Sequence, residues 1–176
     1  PDAVIREVKF AGKETLRDVM LHIKDGSDVR TVILDTMTEA YRGLLREISG
    51  DAARPSQQNY GDAQVVLDRF VAYMRDLPVN LILICHEEMI EADDQVIVRP
   101  TTGGRKTPEV MAGQVDVMAY CAAVQTDSGV GYVAQLVPSN GRRAKDGTGL
   151  LGTARALNVG EWIATINKGN QPRKEK

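Results

Sequence analysis

Two polar residues directly follow apolar segments that have the composition of buried strands. Asp35 ends the segment TVILD, and His86 follows the segment NLILIC. The carboxyl ends of strands form the usual ligand site of open α/β sheets. An ionised carboxylate in that position can hold the water shell of a magnesium ion beside phosphate groups. The pattern equally allows Asp35 to cap a helix that begins at Thr36, so both roles stay open.

The glycine-rich phosphate-binding pattern G-x-x-x-x-G-K-[ST] does not occur in the sequence. Gly12-Lys13-Glu14 places an acid where the pattern requires a hydroxyl. Gly104-Arg105-Lys106-Thr107 inserts an arginine between the glycine and the lysine. Neither segment therefore supplies the usual combination of backbone amides and lysine.

Basic residues cluster in two glycine-containing segments. The first cluster, free of acids between Arg99 and Glu109, consists of Arg99, Arg105 and Lys106. The second cluster consists of Arg142, Arg143 and Lys145. Each can be an ordinary solvated loop or turn, or a set of phosphate contacts.

Composition restricts the class of protein. The 176 residues are 43% apolar and 26% charged, which predicts a folded chain with a hydrophobic core. The net charge of −2 excludes a uniformly basic nucleic-acid-binding chain. Two cysteines and two histidines, widely spaced, argue against a disulfide scaffold or a zinc site. The apolar runs are too short to cross a bilayer, so we expect a cytoplasmic protein with no membrane partner.

Hydrophobic periodicity in the first half predicts alternating strands and helices. Strands are expected at Val4–Phe10, Thr31–Leu34 and Val79–Cys85, and helices at 13–23, 36–48 and 62–77. The consecutive apolar residues of the second and third strands predict burial on both faces, as in the centre of a parallel sheet.

The second half predicts a different arrangement. We expect a strand at Gln95–Arg99, a short helix at Glu109–Gly113, and two adjacent strands at 115–124 and 130–137 joined by Asp127-Ser128-Gly129. The sequence indicates one domain over residues 1–167, followed by a flexible polar tail over residues 168–176.

The order of these segments resembles the RecA-like ATPase domain of Sak-type phage recombination proteins, which are distantly similar to RecA and RadA recombinases. The resemblance covers roughly residues 30–150 and rests on TVILDTMTEAYRGLLREI, a long helix, NLILICHEE, GGRKTPEVMAGQVDVMAYCAAV and SNGRRAKDGTG. It implies a RecA-like three-layer α/β sandwich with a mostly parallel central sheet and a C-terminal antiparallel portion, lacking the P-loop segment.

The resemblance also implies roles for residues around the first two motifs. Asp35 would be the Walker B acid that assists Mg²⁺, with Thr36 beside it, and His86 would sense the γ-phosphate of ATP or relay its state to the DNA-binding loops. Glu39, one helical turn beyond Asp35, would either polarise the attacking water or be a helix acid favoured by the macrodipole.

The same resemblance implies roles for the two basic clusters. The segment with Arg99, Arg105 and Lys106 would face the channel of a ring or filament and bind single-stranded DNA. One of Arg142, Arg143 and Lys145 would reach the γ-phosphate held by a neighbouring subunit.

The resemblance therefore predicts an ATP-binding and hydrolysing domain of a phage-type recombination or repair protein that self-associates on single-stranded DNA. The absence of a Walker A pattern leads us to expect that the chain is the C-terminal part of such a domain, and that it is an ATPase once the P-loop is supplied. The alternative is a nucleotide-independent RecA-like remnant that serves as a DNA-binding or oligomeric assembly module.

Overall fold

The computed structural model describes residues 5–50, 52, 54–92, 94–103, 107–127 and 129–169. The chain forms two compact units. The first unit comprises residues up to His86 together with Pro100–Gln114, and the second comprises Glu87–Arg99 together with the residues from Val115 onward. The predicted core over residues 1–167 stays a prediction, and residues 170–176 of the predicted tail lie outside the described residues.

Helices and strands follow one another along the chain in a mixed order. The elements are α1 (Lys13–Lys24), β1 (Thr31–Asp35), α2 (Met37–Ser49), α3 (Gln57–Arg75), β2 (Asn80–Ile84), β3 (His86–Ala92), β4 (Gln95–Thr101), α4 (Thr107–Gln114), β5 (Val117–Met118), β6 (Tyr120–Thr126), β7 (Gly129–Gln135), β8 (Lys145–Asp146), β9 (Ala154–Ala156) and α5 (Val159–Gly169). The predicted helices at α1, α2 and α4 are confirmed, whereas residues 5–10 form no strand.

The first unit is a layer of helices on one face of a two-stranded sheet. β1 and β2 pair in parallel from Thr31 opposite Asn80 to Asp35 opposite Ile84. The buried core comes almost entirely from the apolar faces of α1, α2 and α3. Its members are Leu16, Ile23, Met37, Ala40, Tyr41, Leu44, Ala63, Leu67, Phe70, Val71, Met74 and Met111.

The first unit corrects the prediction that both faces of β1 are buried. Val32 and Leu34 pack against the helical core, whereas Ile33 is 58% exposed. The strand alternates because the helices cover only one face of the sheet. The β1–β2 pair is the parallel strand pair of the described residues, and β5–β8, β6–β7 and β7–β9 are antiparallel. The observed fold is therefore α/β with small sheets, and the described residues do not form a mostly parallel central sheet.

The second unit confirms the expected antiparallel portion. β6 and β7 form a hairpin through the predicted turn, and β9 pairs with the other edge of β7. Its buried core consists of Ala134, Leu136, Leu151 and Trp162. The indole Nε1 of Trp162 donates a hydrogen bond of 3.2 Å to the carbonyl oxygen of Ala156. The buried ring therefore has a partner for its N–H group.

The Asp146 carboxylate organises the turn that follows β8. It accepts hydrogen bonds from the Thr148 amide and hydroxyl, the Gly149 amide and the Leu151 amide, at 2.6–3.2 Å. Burial acts to raise the pKa of Asp146, but these hydrogen bonds outweigh it and hold the pKa below its usual value. Because Leu151 is a core residue, the turn connects the carboxylate to the core of the second unit.

Replacement of Asp146 by Asn should destabilise the second unit at neutral pH. A carboxyl with a depressed pKa stabilises the fold above its unfolded-state pKa, and this stabilisation is lost as the pH falls through the lower, folded-state value. We expect a loss of about 1 kcal/mol, near the low end for charge-assisted hydrogen bonds because solvent screens the carboxylate. The deficit should shrink below about pH 4. Urea unfolding followed by the single tryptophan, Trp162, measures it. A deficit that stays constant with pH would contradict the assignment.

Candidate functional site

The carboxyl ends of β1 and β2 form one edge of the first unit. Asp35 stands opposite Ile84 in the register, and His86 follows two residues later. The structure thus brings Asp35 and His86, which the sequence singled out separately, to the same edge of the sheet. Both residues are exposed there, and the peptide bond that joins Asp35 to Thr36 is cis.

A cleft of about 360 Å³ opens beside Asp35 along the first three turns of α2. Its lining residues are Phe10, Ala11, Leu34, Asp35, Thr36, Glu39, Ala40, Gly43 and Arg46. The Phe10 ring packs so closely on α2 that a Cβ at Gly43 would lie 2.7 Å from a ring carbon. A larger residue at position 43 would therefore displace one wall of the cleft.

The residues that follow Asp35 begin α2. The Thr36 hydroxyl accepts a hydrogen bond of 3.1 Å from the Glu39 amide, which makes Thr36 the N-cap of the helix. The Glu39 carboxylate forms an ion pair of 2.5 Å with Arg42 on the same helix. Thr36 thus has a structural role in the cap, and Glu39 lines the cleft while paired with a cation.

Thr38 has contacts with residues 48 and 63 positions away, which no local sequence pattern indicates. Its side chain is buried, and its hydroxyl donates a hydrogen bond of 2.6 Å to the Thr101 carbonyl oxygen. The same hydroxyl accepts a hydrogen bond of 3.1 Å from the His86 amide. One side chain of α2 therefore binds the backbone at the end of β2 and at the end of β4.

The segment after Thr101 lies against α2. Thr102 is buried, and Gly103 has a φ of +115° that favours glycine. A Cβ at Gly103 would lie 2.6 Å from the Tyr41 ring. Burial, and then the neighbouring Tyr60, raises the pKa of Tyr41, so this ring is a neutral packing surface. Arg105 and Lys106, predicted to bind DNA, lie outside the described residues.

Arg99, the other residue of the predicted DNA-binding segment, has an internal partner. Its Nε is 2.7 Å from the Glu88 carboxylate on the neighbouring strand, and its side chain is only 9% exposed. A guanidinium in this position links β3 to β4 and has little surface for a phosphate. The DNA contact of Arg99 stays a prediction, and the structure gives this side chain a partner within the protein.

The three basic residues of the second cluster differ in their surroundings. The Arg142 guanidinium stacks on the Tyr120 ring at 4.7 Å, and Lys145 Nζ donates to the Val115 carbonyl oxygen at 2.8 Å. Arg143 is exposed, and its amide donates to the Val98 carbonyl oxygen. Within the described residues, no ion pair or side-chain hydrogen bond holds the Arg143 guanidinium. Arg143 is thus the cation of the cluster with most freedom to contact another molecule.

The segment Gly12-Lys13 is not arranged to bind phosphate. The Lys13 amide, at the start of α1, donates a hydrogen bond of 2.8 Å to the Glu47 carboxylate, and Lys13 Nζ lies 3.8 Å from the same group. Gly12 has a φ of +131°, which brings the chain close to Glu47. A carboxylate of α2 therefore occupies the amino end of α1.

The donor set at the sheet edge fits a magnesium ion that keeps most of its waters. The described residues contain no group of three or more acidic, histidine or cysteine side chains able to enclose a metal. Mg²⁺ in phosphate-transfer sites uses one or two carboxylates together with waters and phosphate oxygens. The exposed carboxylate of Asp35, beside the Thr36 hydroxyl, meets this requirement.

These features define an α/β domain with an acid and a histidine at the carboxyl edge of parallel strands. The family model described as AAA domain matches residues 3–148, and the chain belongs to this family. Membership indicates a nucleotide-binding domain of the P-loop ATPase type, and such domains generally bind nucleotide with Mg²⁺. No curated protein and no solved structure matches the chain. In the part of the chain that the structure describes, no helix is long and apolar enough to cross a membrane.

Proposed function

We propose that the first unit binds Mg²⁺–ATP at the edge formed by Asp35 and His86 and takes part in its hydrolysis. The observation that carries this proposal is the register of β1 and β2, which ends both strands at one edge in a chain of the AAA domain family. The cleft along α2 gives this edge an open approach.

The residues have distinct roles in the proposed reaction. The Asp35 carboxylate would hold the magnesium ion through hydrogen bonds from its waters. The ion, when bound, neutralises charge that develops on the phosphate oxygens. His86, whose amide donates to the Thr38 hydroxyl, follows β2 at the same edge and is the residue that would contact the terminal phosphate. Glu39 is held by Arg42, which favours a helix-stabilising role over activation of water.

Arg143 is the residue that we propose to reach the terminal phosphate bound by a neighbouring subunit. Its exposure supports this role, because a cation acting in trans must be free to leave its own surface. Arg142 and Lys145 are engaged by Tyr120 and by the Val115 carbonyl, so we assign them structural roles. The proposal implies self-association into a ring or filament.

Single-stranded DNA is the proposed macromolecular partner, in recombination or repair of the phage type. The support is the resemblance to Sak-type proteins and the sequence GGRK around Arg105 and Lys106, which contains two cations and two glycines but no acid. Such a segment can follow a phosphate backbone without reading bases. The second candidate is an assembly module that binds no nucleotide, favoured by the absence of G-x-x-x-x-G-K-[ST] from these 176 residues.

Replacement of Asp35 by Ala or Asn in the complete gene product should abolish ATP hydrolysis. Loss of the Asp35 carboxylate should lower turnover by at least about a hundredfold, because a bound magnesium ion would lose the acceptor that orients its waters. Phosphate release and calorimetric binding of Mg²⁺–ATP measure the effect. Asp62→Asn is the matched control, since Asp62 is an exposed acid on α3 away from the cleft lining. Full turnover by the Asp35 variants would remove the assigned role, and no ATP binding by the wild type would favour the assembly module.

Replacement of Arg143 and replacement of Arg142 should have different effects, the first on turnover and the second on stability. Arg143→Ala should reduce the turnover number of the assembled protein by about a thousandfold without changing the free energy of unfolding, because arginine fingers act on the transition state. Arg142→Ala should instead destabilise the second unit by about 0.5–1 kcal/mol through loss of the Tyr120 contact. Steady-state kinetics and Trp162 fluorescence compare the two. A large loss of turnover confined to Arg142→Ala would reverse the assignment.

Charge reversal at Arg105 and Lys106 tests the DNA partner. The double change to Glu should weaken binding to oligothymidylate and reduce the slope of log K against log salt concentration by about 0.7 for each lost phosphate contact. Fluorescence anisotropy over a salt series measures both quantities. Lys24→Glu with Arg30→Glu makes the same change in charge at exposed positions elsewhere in the first unit. Equal effects from the two pairs would show a general charge effect and contradict the assignment to this segment.

A further inference from the structure

The buried hydroxyl of Thr38 joins three separate segments of the first unit. Thr38 is 3% exposed, and it lies in the first turn of α2, three residues after Asp35. Its Oγ1 donates at 2.6 Å to the Thr101 carbonyl oxygen and accepts at 3.1 Å from the His86 amide. A threonine hydroxyl has a single proton to donate, and here that proton is committed to Thr101.

The segment that contains Thr101 is seated on α2 by further contacts. Thr102 is 2% exposed, and its hydroxyl has no hydrogen-bond partner within the described residues. The backbone of Gly103 lies flat against the Tyr41 ring, leaving no room for a side chain. The Tyr41 hydroxyl in turn donates to the Tyr60 carbonyl oxygen at 3.3 Å, which holds the ring in place. These contacts position the chain immediately before Gly104, Arg105 and Lys106.

The same helix begins at the proposed nucleotide edge. Thr36 caps α2 directly after Asp35, so a displacement of the Asp35–Thr36 backbone is carried into the first turn of the helix. The Ala40 amide donates at 3.0 Å to the Thr36 carbonyl oxygen, so the backbone at Thr36 is hydrogen-bonded to the first turn of the helix. The Thr38 hydroxyl would pass this movement to two backbone groups, at His86 and at Thr101.

We infer that Thr38 is a positioning residue that couples occupancy of the Asp35 edge to the conformation of residues 101–103. The coupling to nucleotide rests on the proposed function, whereas the positioning of the segment by Thr38 does not. Thr38 contacts no reacting atom in this role and acts only through the backbones of His86 and Thr101.

Substitution of Thr38 by Val removes the hydroxyl while keeping the shape of the side chain, and Thr38→Ser keeps the hydroxyl. Thr31→Val is the control for the chemical change, because it removes a single side-chain hydrogen bond, to Asn80, at the opposite end of β1. Amide hydrogen exchange in the full chain provides the first measurement. Thr38→Val should speed exchange of the His86 amide by about tenfold, and Thr38→Ser and Thr31→Val should leave it unchanged.

The second measurement adds Mg²⁺ with a non-hydrolysable ATP analogue to the same proteins. The wild type, Thr38→Ser and Thr31→Val should show a changed exchange rate across residues 101–103. Thr38→Val should bind the analogue in calorimetry but lose this change.

The outcomes separate the two claims. Unchanged exchange at His86 in Thr38→Val would overturn the positioning role whether or not nucleotide binds. A retained nucleotide response in that variant would overturn the coupling. Failure of the wild type to bind the analogue would remove the proposed function and the coupling with it, while exchange at His86 still decides the positioning role. If Thr38→Val does not fold, loss of the nucleotide response in a folded Thr38→Ser protein would overturn the inference.

Discussion

The parallel, in-register pairing of β1 and β2 is the constraint on which the candidate site depends. Parallel strands need a crossover that returns the chain to its starting edge, and α2 and α3 supply it here. Both strands therefore end on the same side, which brings Asp35 and His86 together although 50 residues separate them in the chain. The crossover helix must also begin at that edge, so the capped first turn of α2 becomes part of the site. The parallel pairing thus determines the positions of Asp35, His86 and the first turn of α2 together.

Neighbouring charged residues in this protein have very different environments, and these differences decide which of them can act on another molecule. Arg142 stacks on an aromatic ring while Arg143 points to solvent, because adjacent residues in an extended segment face opposite ways. Arg99 and Glu39 each have an opposite charge as an immediate neighbour. Basic composition alone marks a segment as a possible phosphate contact, but packing determines which side chain is available.

The sequence predicted the elements with strong periodicity and missed those defined by contacts between distant residues. Amphipathic spacing located α1 and α2, and the position of Asp35 and His86 after apolar strands placed both at one edge. The start of α3 at Gln57 was missed because its signal is a capping box between Ser56 and Asn59, in a polar segment without apolar periodicity. β3 was missed because its acids resemble a solvated face. The roles of Thr38 and Gly103 depend on partners about 60 residues away, which no local pattern contains.

The ion pair between Glu47 and Lys13 has a consequence for anion binding. The first amides of a helix attract phosphate because they lack partners within the helix and carry the positive end of its dipole. In α1 the Glu47 carboxylate accepts a hydrogen bond from the Lys13 amide and lies beside the Lys13 ammonium group. A negative charge of the protein is therefore present where a phosphate would bind. An incoming phosphate would have to displace Glu47 and leave two negative groups close together. The amino end of α1 is therefore a poor site for phosphate, and in the proposed function the amides that contact ATP would have to come from elsewhere than α1.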